Sequence, residues 1–133
     1  MTRALAGKRI LVVDDDFVLA ADLQHFLEGE GCAVAGPAPS VEGAVSCLLE
    51  GPLHAAILDV DLGTESSAPI AAELEAAGIP FLFLTGYGPE SVPPEHAGQA
   101  LIGKPWSQGE LRTLLHDLLS HADRRRGMSH AAG

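Results

Sequence analysis

Five short runs of apolar residues alternate along the chain with longer stretches in which apolar residues recur every three or four positions. The short runs are typical of strands buried on both faces of a parallel sheet, and the spaced stretches are typical of helices with one apolar face. The predicted strands are Lys8–Val13, Cys32–Gly36, Ala55–Asp59, Ile79–Leu84 and Ala100–Gly103. Because such alternation implies right-handed crossovers, we predict an α/β fold, a three-layer sandwich with helices on both faces of a five-stranded parallel sheet.

Polar residues mark where the predicted helices begin. A side-chain oxygen at the N-cap accepts a hydrogen bond from the first turn of the helix, which would otherwise leave its backbone N–H groups unpaired. The predicted caps are Asp16, Ser40, Ser66 or Ser67, and Ser107, which has Glu110 at capping-box spacing. The segment Pro89–Gln99 contains three prolines and is therefore expected to form at most a short or distorted helix.

The length of 133 residues fits one domain with a single core. We predict an N-terminal extension over residues 1–7, a domain over 8–123 and a flexible C-terminal tail over 124–133. No apolar segment approaches the ~20 residues needed to span a bilayer, and the N-terminus lacks the apolar core of a signal peptide. Cys32 and Cys47 are too few for a disulfide scaffold or a clustered metal site and favour a reducing compartment. We therefore expect a cytoplasmic protein.

The charge balance excludes one class of partner. The chain has 18 acidic and 8 basic residues, for a formal net charge of −10. Proteins that bind the phosphate backbone of nucleic acids need clustered lysine and arginine, so we expect no nucleic-acid partner. Because no apolar segment is long enough to span a bilayer, we expect no membrane partner either. The six histidines show no spacing typical of metal ligands, and the sequence assigns none of them a function.

Polar residues follow four of the five predicted strands at the point where each strand ends. Asp14 and Asp15 follow the first strand, Asp59 ends the third, Thr85 follows the fourth and Lys104 follows the fifth. The carboxyl ends of parallel strands meet at one edge of the sheet, which is where open α/β sheets bind their ligands. We therefore expect these five side chains to converge.

Three converging carboxylates would repel one another without a cation, and a hard divalent ion such as magnesium (Mg²⁺) resolves the repulsion. Magnesium binds through one or two carboxylates and leaves room for a phosphate oxygen. Lys104 supplies a positive charge suited to phosphate, and the Thr85 hydroxyl supplies one more hydrogen bond. Since a carboxylate can act as a nucleophile and form an aspartyl phosphate, this set of residues predicts phosphoryl transfer onto a carboxylate.

The chain resembles the receiver domain of bacterial two-component response regulators from about Lys8 to Ala122. Four motifs carry the resemblance: Val12–Asp15, Leu58–Asp59, Leu84–Thr85 and Gly103–Pro105. The combination is specific, whereas each motif alone is weak. The resemblance implies a flavodoxin-like fold with strand order 2-1-3-4-5. It also implies a protein that catalyses only its own phosphorylation and dephosphorylation and is otherwise not an enzyme.

The resemblance also implies roles for the acidic residues. Asp59 corresponds to the phosphoacceptor. Asp15 corresponds to the direct magnesium ligand, and Asp14 to its companion, which holds a water bound to the metal. The backbone carbonyl of Asp61 corresponds to the third protein ligand. The implied metal set is therefore Asp14, Asp15, Asp59 and Asp61.

On the other side of the site, Thr85 corresponds to the hydroxyl that contacts the phosphoryl group, and Lys104 to the lysine that pairs with a phosphoryl oxygen, with a cis bond to Pro105. Receivers usually carry an aromatic residue three positions before this lysine, and here that position is Leu101. The motif Phe83–Gly88 resembles the Phe-x-Thr-Gly-Tyr variant of a subgroup of alphaproteobacterial receivers, which tend to have an altered fourth helix. We therefore hypothesise that residues 85–88 and the segment behind them change order on phosphorylation.

The implied partners are a sensor histidine kinase or a histidine phosphotransfer protein, and a downstream protein that the sequence does not identify. Because no residues remain for a DNA-binding effector, the output is expected to pass through a protein contact or through phosphate flow. One alternative is a receiver-like module that binds partners without phosphorylation. A second alternative is a phosphatase of the haloacid-dehalogenase type. Residues 59–63 resemble in part the Asp-x-Asp-x-Thr motif of that family, but Gly63 stands at the threonine position.

Overall fold

The computed structural model describes residues 5–63 and 65–132, with side chains of the last helix described as far as His121. Five parallel strands form one sheet: β1 (Arg9–Val13), β2 (Ala33–Ala38), β3 (Ala55–Asp59), β4 (Phe81–Thr85) and β5 (Ala100–Gly103). Their order in the sheet is β2-β1-β3-β4-β5. The predicted architecture and strand order are therefore confirmed.

Four α-helices accompany the sheet within the described residues: α1 (Phe17–Gly29), α2 (Val41–Glu50), α3 (Ala68–Ala76) and α4 (Gln108–Ala132). Between β4 and β5, where a further helix would complete the alternation, the chain forms two short 3-10 turns, Pro89–Ser91 and Pro94–His96. This segment agrees with the prediction from its prolines, since proline removes a backbone donor that a longer helix would need. No helix in the described part of the chain is long and apolar enough to cross a membrane.

The sheet separates two apolar cores, because side chains along a strand point alternately to its two faces. In β3, Ala55 and Ile57 join the core beneath α1 and α4, whereas Ala56 and Leu58 join the core beneath α2 and α3. Every residue of β3 and β4 is buried. Burial on both faces explains why these strands are continuous apolar runs and why the polar residues appear only at their ends.

The second strand differs from its prediction. The predicted strand ends at Gly36, but the observed strand continues to Ala38 through a cis bond between Gly36 and Pro37. Because β2 lies at the edge of the sheet, Pro37 needs no backbone donor on its outer side. The extension pairs the backbone N–H of Asp14 with the carbonyl oxygen of Ala38 at 3.0 Å, and thus contributes to holding the end of β1 in place.

The helix caps follow the predicted residues closely. Asp16 accepts hydrogen bonds from the first turn of α1, and Ser40 accepts one from the first turn of α2. Ser67 occupies the N-cap of α3, while the Ser66 hydroxyl accepts from the N–H of Ala68. The last helix continues to Ala132, through the segment predicted to be a flexible tail. The division of the chain at residues 7 and 123 stays a prediction.

His96 is a buried residue that the sequence did not single out. It is only 4% exposed and lies against the rings of Phe81 and Phe83, at 6.0 and 6.2 Å between centroids. Its Nδ1 atom lies 3.2 Å from a carboxylate oxygen of Glu75 on α3. His96 therefore joins the segment between β4 and β5 to the sheet and to a helix.

We expect His96→Ala to lower the free energy of unfolding by about 2 kcal/mol, because the change removes ring packing and the hydrogen bond to Glu75 together. Urea unfolding followed by circular dichroism measures the effect. The exposed His116 on α4 offers a matched control, and His116→Ala is expected to change the free energy by less than ~0.5 kcal/mol. Equal stability of the two variants would contradict a structural role for His96.

Candidate functional site

The register of the sheet brings the predicted site residues to one edge. Asp59 is the last residue of β3 and Thr85 the last of β4, and Asp59 pairs with the residue before Thr85. Thr85 in turn pairs with the last residue of β5. The backbone N–H of Lys104 donates to the carbonyl of Thr85 at 2.7 Å, which holds the start of the following loop beside β4. Asp14 and Asp15 follow β1, the other neighbour of β3.

Asp14, Asp15 and Asp59 form an acidic cluster in which one carboxylate oxygen of each lies within 4.8 Å of the others. Asp14 and Asp59 are buried, at 2% and 6% exposed, and Asp15 is exposed. One Asp14 oxygen accepts a hydrogen bond from the backbone N–H of Asp16 at 2.9 Å, while the other is buried without a hydrogen-bond partner. One side of the cluster, at Asp14 and Asp59, is therefore buried in the protein, and the other side, at Asp15, is exposed to solvent.

Lys104 partly balances the cluster. Its Nζ atom donates to Asp59 Oδ2 at 3.1 Å and lies 3.6 Å from Asp14 Oδ2. The other Asp59 oxygen accepts from the backbone N–H of Asp61 at 3.3 Å. Burial and the charge of Asp14 together raise the pKa of Asp59 from 3.8 to about 6, although Lys104 opposes the shift. Burial lowers the pKa of Lys104, but Asp14 and Asp59 raise it by more, so its pKa is raised and the ammonium form is favoured.

The donors of the cluster suit a hard divalent cation. They are carboxylate oxygens, which magnesium prefers. The buried Oδ2 atom of Asp14 has no hydrogen-bond donor and only the Lys104 ammonium group 3.6 Å away. Gly63 lies beside the cluster at a φ of 79°, where a Cβ atom would come within 3.0 Å of Asp15 Oδ2. The Asp61 side chain is exposed and accepts a hydrogen bond from the N–H of Gly63. The residues present therefore fit magnesium, and the role of the Asp61 carbonyl as a ligand stays a prediction.

The Thr85 hydroxyl forms hydrogen bonds with residues of the segment that follows β4. Its Oγ1 atom accepts from the backbone N–H of Tyr87 at 3.0 Å and lies 2.8 Å from the hydroxyl oxygen of Ser91 in the first 3-10 turn. Ser91 was not predicted from the sequence as a residue of the site. The only signal for it was a hydroxyl residue within the proline-rich segment that follows the Thr85 motif. Tyr87, by contrast, is 74% exposed and projects from the loop.

Leu101 occupies the position at which the resemblance implied an aromatic residue. It lies on β5, is half-buried and packs against the core that contains Phe81 and Phe83. The leucine side chain has neither an aromatic ring nor a hydroxyl group, so it cannot form a hydrogen bond that depends on the position of Thr85. The Lys104–Pro105 bond is cis, as the resemblance implied.

Solved structures of other proteins are similar to this chain. SdrG from Sphingomonas melonis Fr1 is 34% identical, with a TM-score of 0.76 over 90% of this chain and 99% of that chain. The BeF3-activated conformation of SdrG, from Pseudomonas melonis Fr1, is 36% identical with a TM-score of 0.73, over 86% of this chain and 98% of that one.

Two further structures share the fold at lower identity. A CheY-like response regulator receiver domain protein from Methanospirillum hungatei JF-1 is 24% identical, with a TM-score of 0.76 over 90% of this chain and 99% of that chain. The response regulator PhyR from Brucella abortus is 19% identical, with a TM-score of 0.84 over 98% of this chain but only 56% of PhyR. No family model and no curated protein matches the chain.

We expect Asp59→Asn to raise the free energy of unfolding of the metal-free protein by about 1–2 kcal/mol near neutral pH. The folded pKa of Asp59, about 6, lies above its ordinary value of 3.8, so the ionised carboxylate destabilises the fold above about pH 6. The difference in the free energy of unfolding between the variant and the wild type is therefore expected to shrink as the pH falls from about 6 towards 4. Urea unfolding in the presence of a chelator, at several pH values, measures it.

The exposed Asp117 on α4 offers a matched control, since Asp117→Asn removes the same charge outside the cluster. We expect that variant to change the free energy of unfolding by less than ~0.5 kcal/mol at every pH. Asp59→Asn with the stability of wild type at neutral pH would mean that Lys104 compensates the buried charge fully, and would contradict the expected repulsion within the cluster.

Proposed function

The chain belongs to the receiver domains of two-component response regulators, and we propose that it accepts a phosphoryl group on Asp59. The phosphodonor in this proposal is the phosphohistidine of a sensor histidine kinase or of a histidine phosphotransfer protein. The observation that carries the proposal is the position of the Asp59 carboxylate, which lies beside the carboxylates of Asp14 and Asp15 and 3.1 Å from the ammonium group of Lys104. An aspartate held at a strand end, beside a fixed cation, is available as a nucleophile towards an incoming phosphoryl group.

In the proposed reaction, an Asp59 oxygen forms a bond to phosphorus while the bond between phosphorus and the donor imidazole nitrogen breaks. The electron pair of the broken bond stays on that imidazole. The ammonium group of Lys104, 3.1 Å from Asp59 Oδ2, is placed to pair with a phosphoryl oxygen after transfer. The Thr85 hydroxyl is assigned a further hydrogen bond to the phosphoryl group. Hydrolysis of the acyl phosphate by water then restores Asp59.

Magnesium is part of the proposal. Asp14, Asp15, Asp59 and the backbone carbonyl of Asp61 would hold it, and the ion would supply positive charge that offsets the charge of the carboxylates and of the phosphoryl oxygens. Support comes from the all-oxygen donor set and from the buried Oδ2 atom of Asp14, which accepts no hydrogen bond. The protein residues orient the nucleophile and exclude bulk water on the buried side of the site.

We further propose that the output is a contact with another protein, or transfer of the phosphoryl group onward, in the cytoplasm. No catalytic activity beyond the phosphorylation and dephosphorylation of Asp59 is proposed. Since the chain belongs to the receiver family, the haloacid-dehalogenase alternative is set aside. Phosphorylation by a small-molecule donor distinguishes this proposal from the alternative of a binding module that works without phosphorylation.

Incubation of the wild-type protein with magnesium and acetyl phosphate is expected to add one phosphoryl group, because a small acyl phosphate can replace the protein donor. Intact-mass spectrometry measures the adduct. Asp59→Asn is expected to give none, while Asp117→Asn, which changes an exposed aspartate on α4, is expected to behave like wild type. If wild type carries no adduct, the chain is a binding module that acts without phosphorylation and the proposal is wrong.

Magnesium at ~10 mM is expected to stabilise the wild-type protein by about 1 kcal/mol against urea, because an ion that binds only the folded state shifts the unfolding equilibrium. Asp15→Asn is expected to lose most of this gain, since it removes an exposed ligand without disturbing the buried pair. Sodium at matched ionic strength separates specific binding from general screening. An equal magnesium response in wild type and Asp15→Asn would exclude Asp15 as a ligand.

A further inference from the structure

The hydrogen bonds around Ser91 determine which way the Thr85 proton points. The Ser91 hydroxyl donates to the carbonyl oxygen of Gly88 at 2.6 Å. A serine hydroxyl has a single proton, so the 2.8 Å contact between the two hydroxyl oxygens must use the proton of Thr85. Thr85 therefore donates to Ser91 and accepts from the N–H of Tyr87. In this arrangement the Thr85 proton is not free to bond to a phosphoryl oxygen.

Ser91 is held in position by its own backbone and by its neighbour. The N–H of Ser91 donates to the carbonyl of Gly88, and the N–H of Val92 donates to the carbonyl of Pro89, both at 3.1 Å. Val92 packs against the core beneath α2 and α3. Further along the same segment, His96 is buried between that core and Glu75. The bond to Thr85 thus connects the end of β4 to a segment that is also attached by Val92, by His96 and by a hydrogen bond from Gln99 Nε2 to Glu75 Oε2 at 3.4 Å.

We propose that Ser91 is a positioning residue that holds the Thr85 hydroxyl away from the phosphoryl site until Asp59 is modified. The inference rests on the proposed function. When Thr85 donates to a phosphoryl oxygen, its bond to Ser91 is lost, and the first 3-10 turn loses one of its connections to the sheet. Leu101 cannot carry such a signal, since its side chain lacks hydrogen-bonding groups. The coupling between Asp59 and the segment 89–96 therefore runs through the Ser91 hydroxyl.

Beryllofluoride, a phosphoryl mimic that binds to the aspartate together with magnesium, is the probe for this inference. Ser91→Ala leaves the buried Thr85 donor without its partner in the free protein, which disfavours the free state relative to the bound one. We expect the beryllofluoride affinity of Ser91→Ala to be about three- to tenfold higher than that of wild type. Ser91→Thr keeps a hydroxyl at the position and is expected to retain the wild-type affinity.

A double-mutant cycle separates coupling through Thr85 from a general loosening of the loop. In a Thr85→Val background the hydroxyl bond is already absent, so adding Ser91→Ala is expected to leave the affinity unchanged. An equal rise in both backgrounds would overturn the inference. So would wild-type or lower affinity in Ser91→Ala, because the Ser91 hydroxyl would then not compete for the Thr85 proton.

Amide hydrogen exchange gives a readout that does not depend on affinity. Beryllofluoride is expected to accelerate exchange at Ser91 and Val92 in wild type, and the same amides are expected to exchange rapidly in Ser91→Ala without it. If wild type neither binds beryllofluoride nor takes up a phosphoryl group, the proposed function itself fails. If wild type does both and Ser91→Ala matches it in affinity and exchange, the proposed function stands and only the role of Ser91 is wrong.

Discussion

The site depends on one lysine ammonium group held against two buried carboxylates. Lys104 Nζ lies 3.1 Å from Asp59 and 3.6 Å from Asp14, and these contacts offset part of the cost of removing three charges from water. The compensation is incomplete, because two buried negative charges and the nearby Asp15 face a single positive one. Burial first, and then the charge of Asp14, raise the pKa of Asp59 to about 6, although Lys104 opposes the shift. A site with excess negative charge and one fixed cation is suited to a divalent ion and, with it, to a phosphoryl group.

The sheet makes this arrangement possible by burying the strands on both faces. Every side chain of β3 and β4 is apolar except those of their last residues, Asp59 and Thr85, so the polar residues of these strands lie only at their ends. Parallel pairing then aligns the ends of neighbouring strands, and the order of the sheet places β3 between β1 and β4. Asp59 consequently lies at the centre of the edge, with acidic residues on one side and a hydroxyl and an ammonium group on the other.

The segment between β4 and β5 differs from the other connections between strands of the described sheet, since it contains no α-helix. Its prolines leave two 3-10 turns in place of a helix, so few backbone hydrogen bonds stabilise it internally. Individual side chains attach it instead: Val92 and His96 on the core side, and Ser91 through the hydroxyl of Thr85. A segment attached by a few separate contacts is one whose order can change when a single contact is lost.

The sequence by itself determined the strand runs, most helix caps and the edge of the sheet at which residues 14, 15, 59, 85 and 104 lie, because burial imposes a periodicity and parallel topology imposes a common edge. It did not reveal the continuation of β2 through Pro37, since edge position is a property of the assembled sheet. Nor did it reveal the burial of His96 or the bond between Ser91 and Thr85. Those contacts depend on how the irregular segment between β4 and β5 runs along the sheet. Irregular backbone produces no periodic pattern in the sequence, so the directions of its side chains could not be predicted.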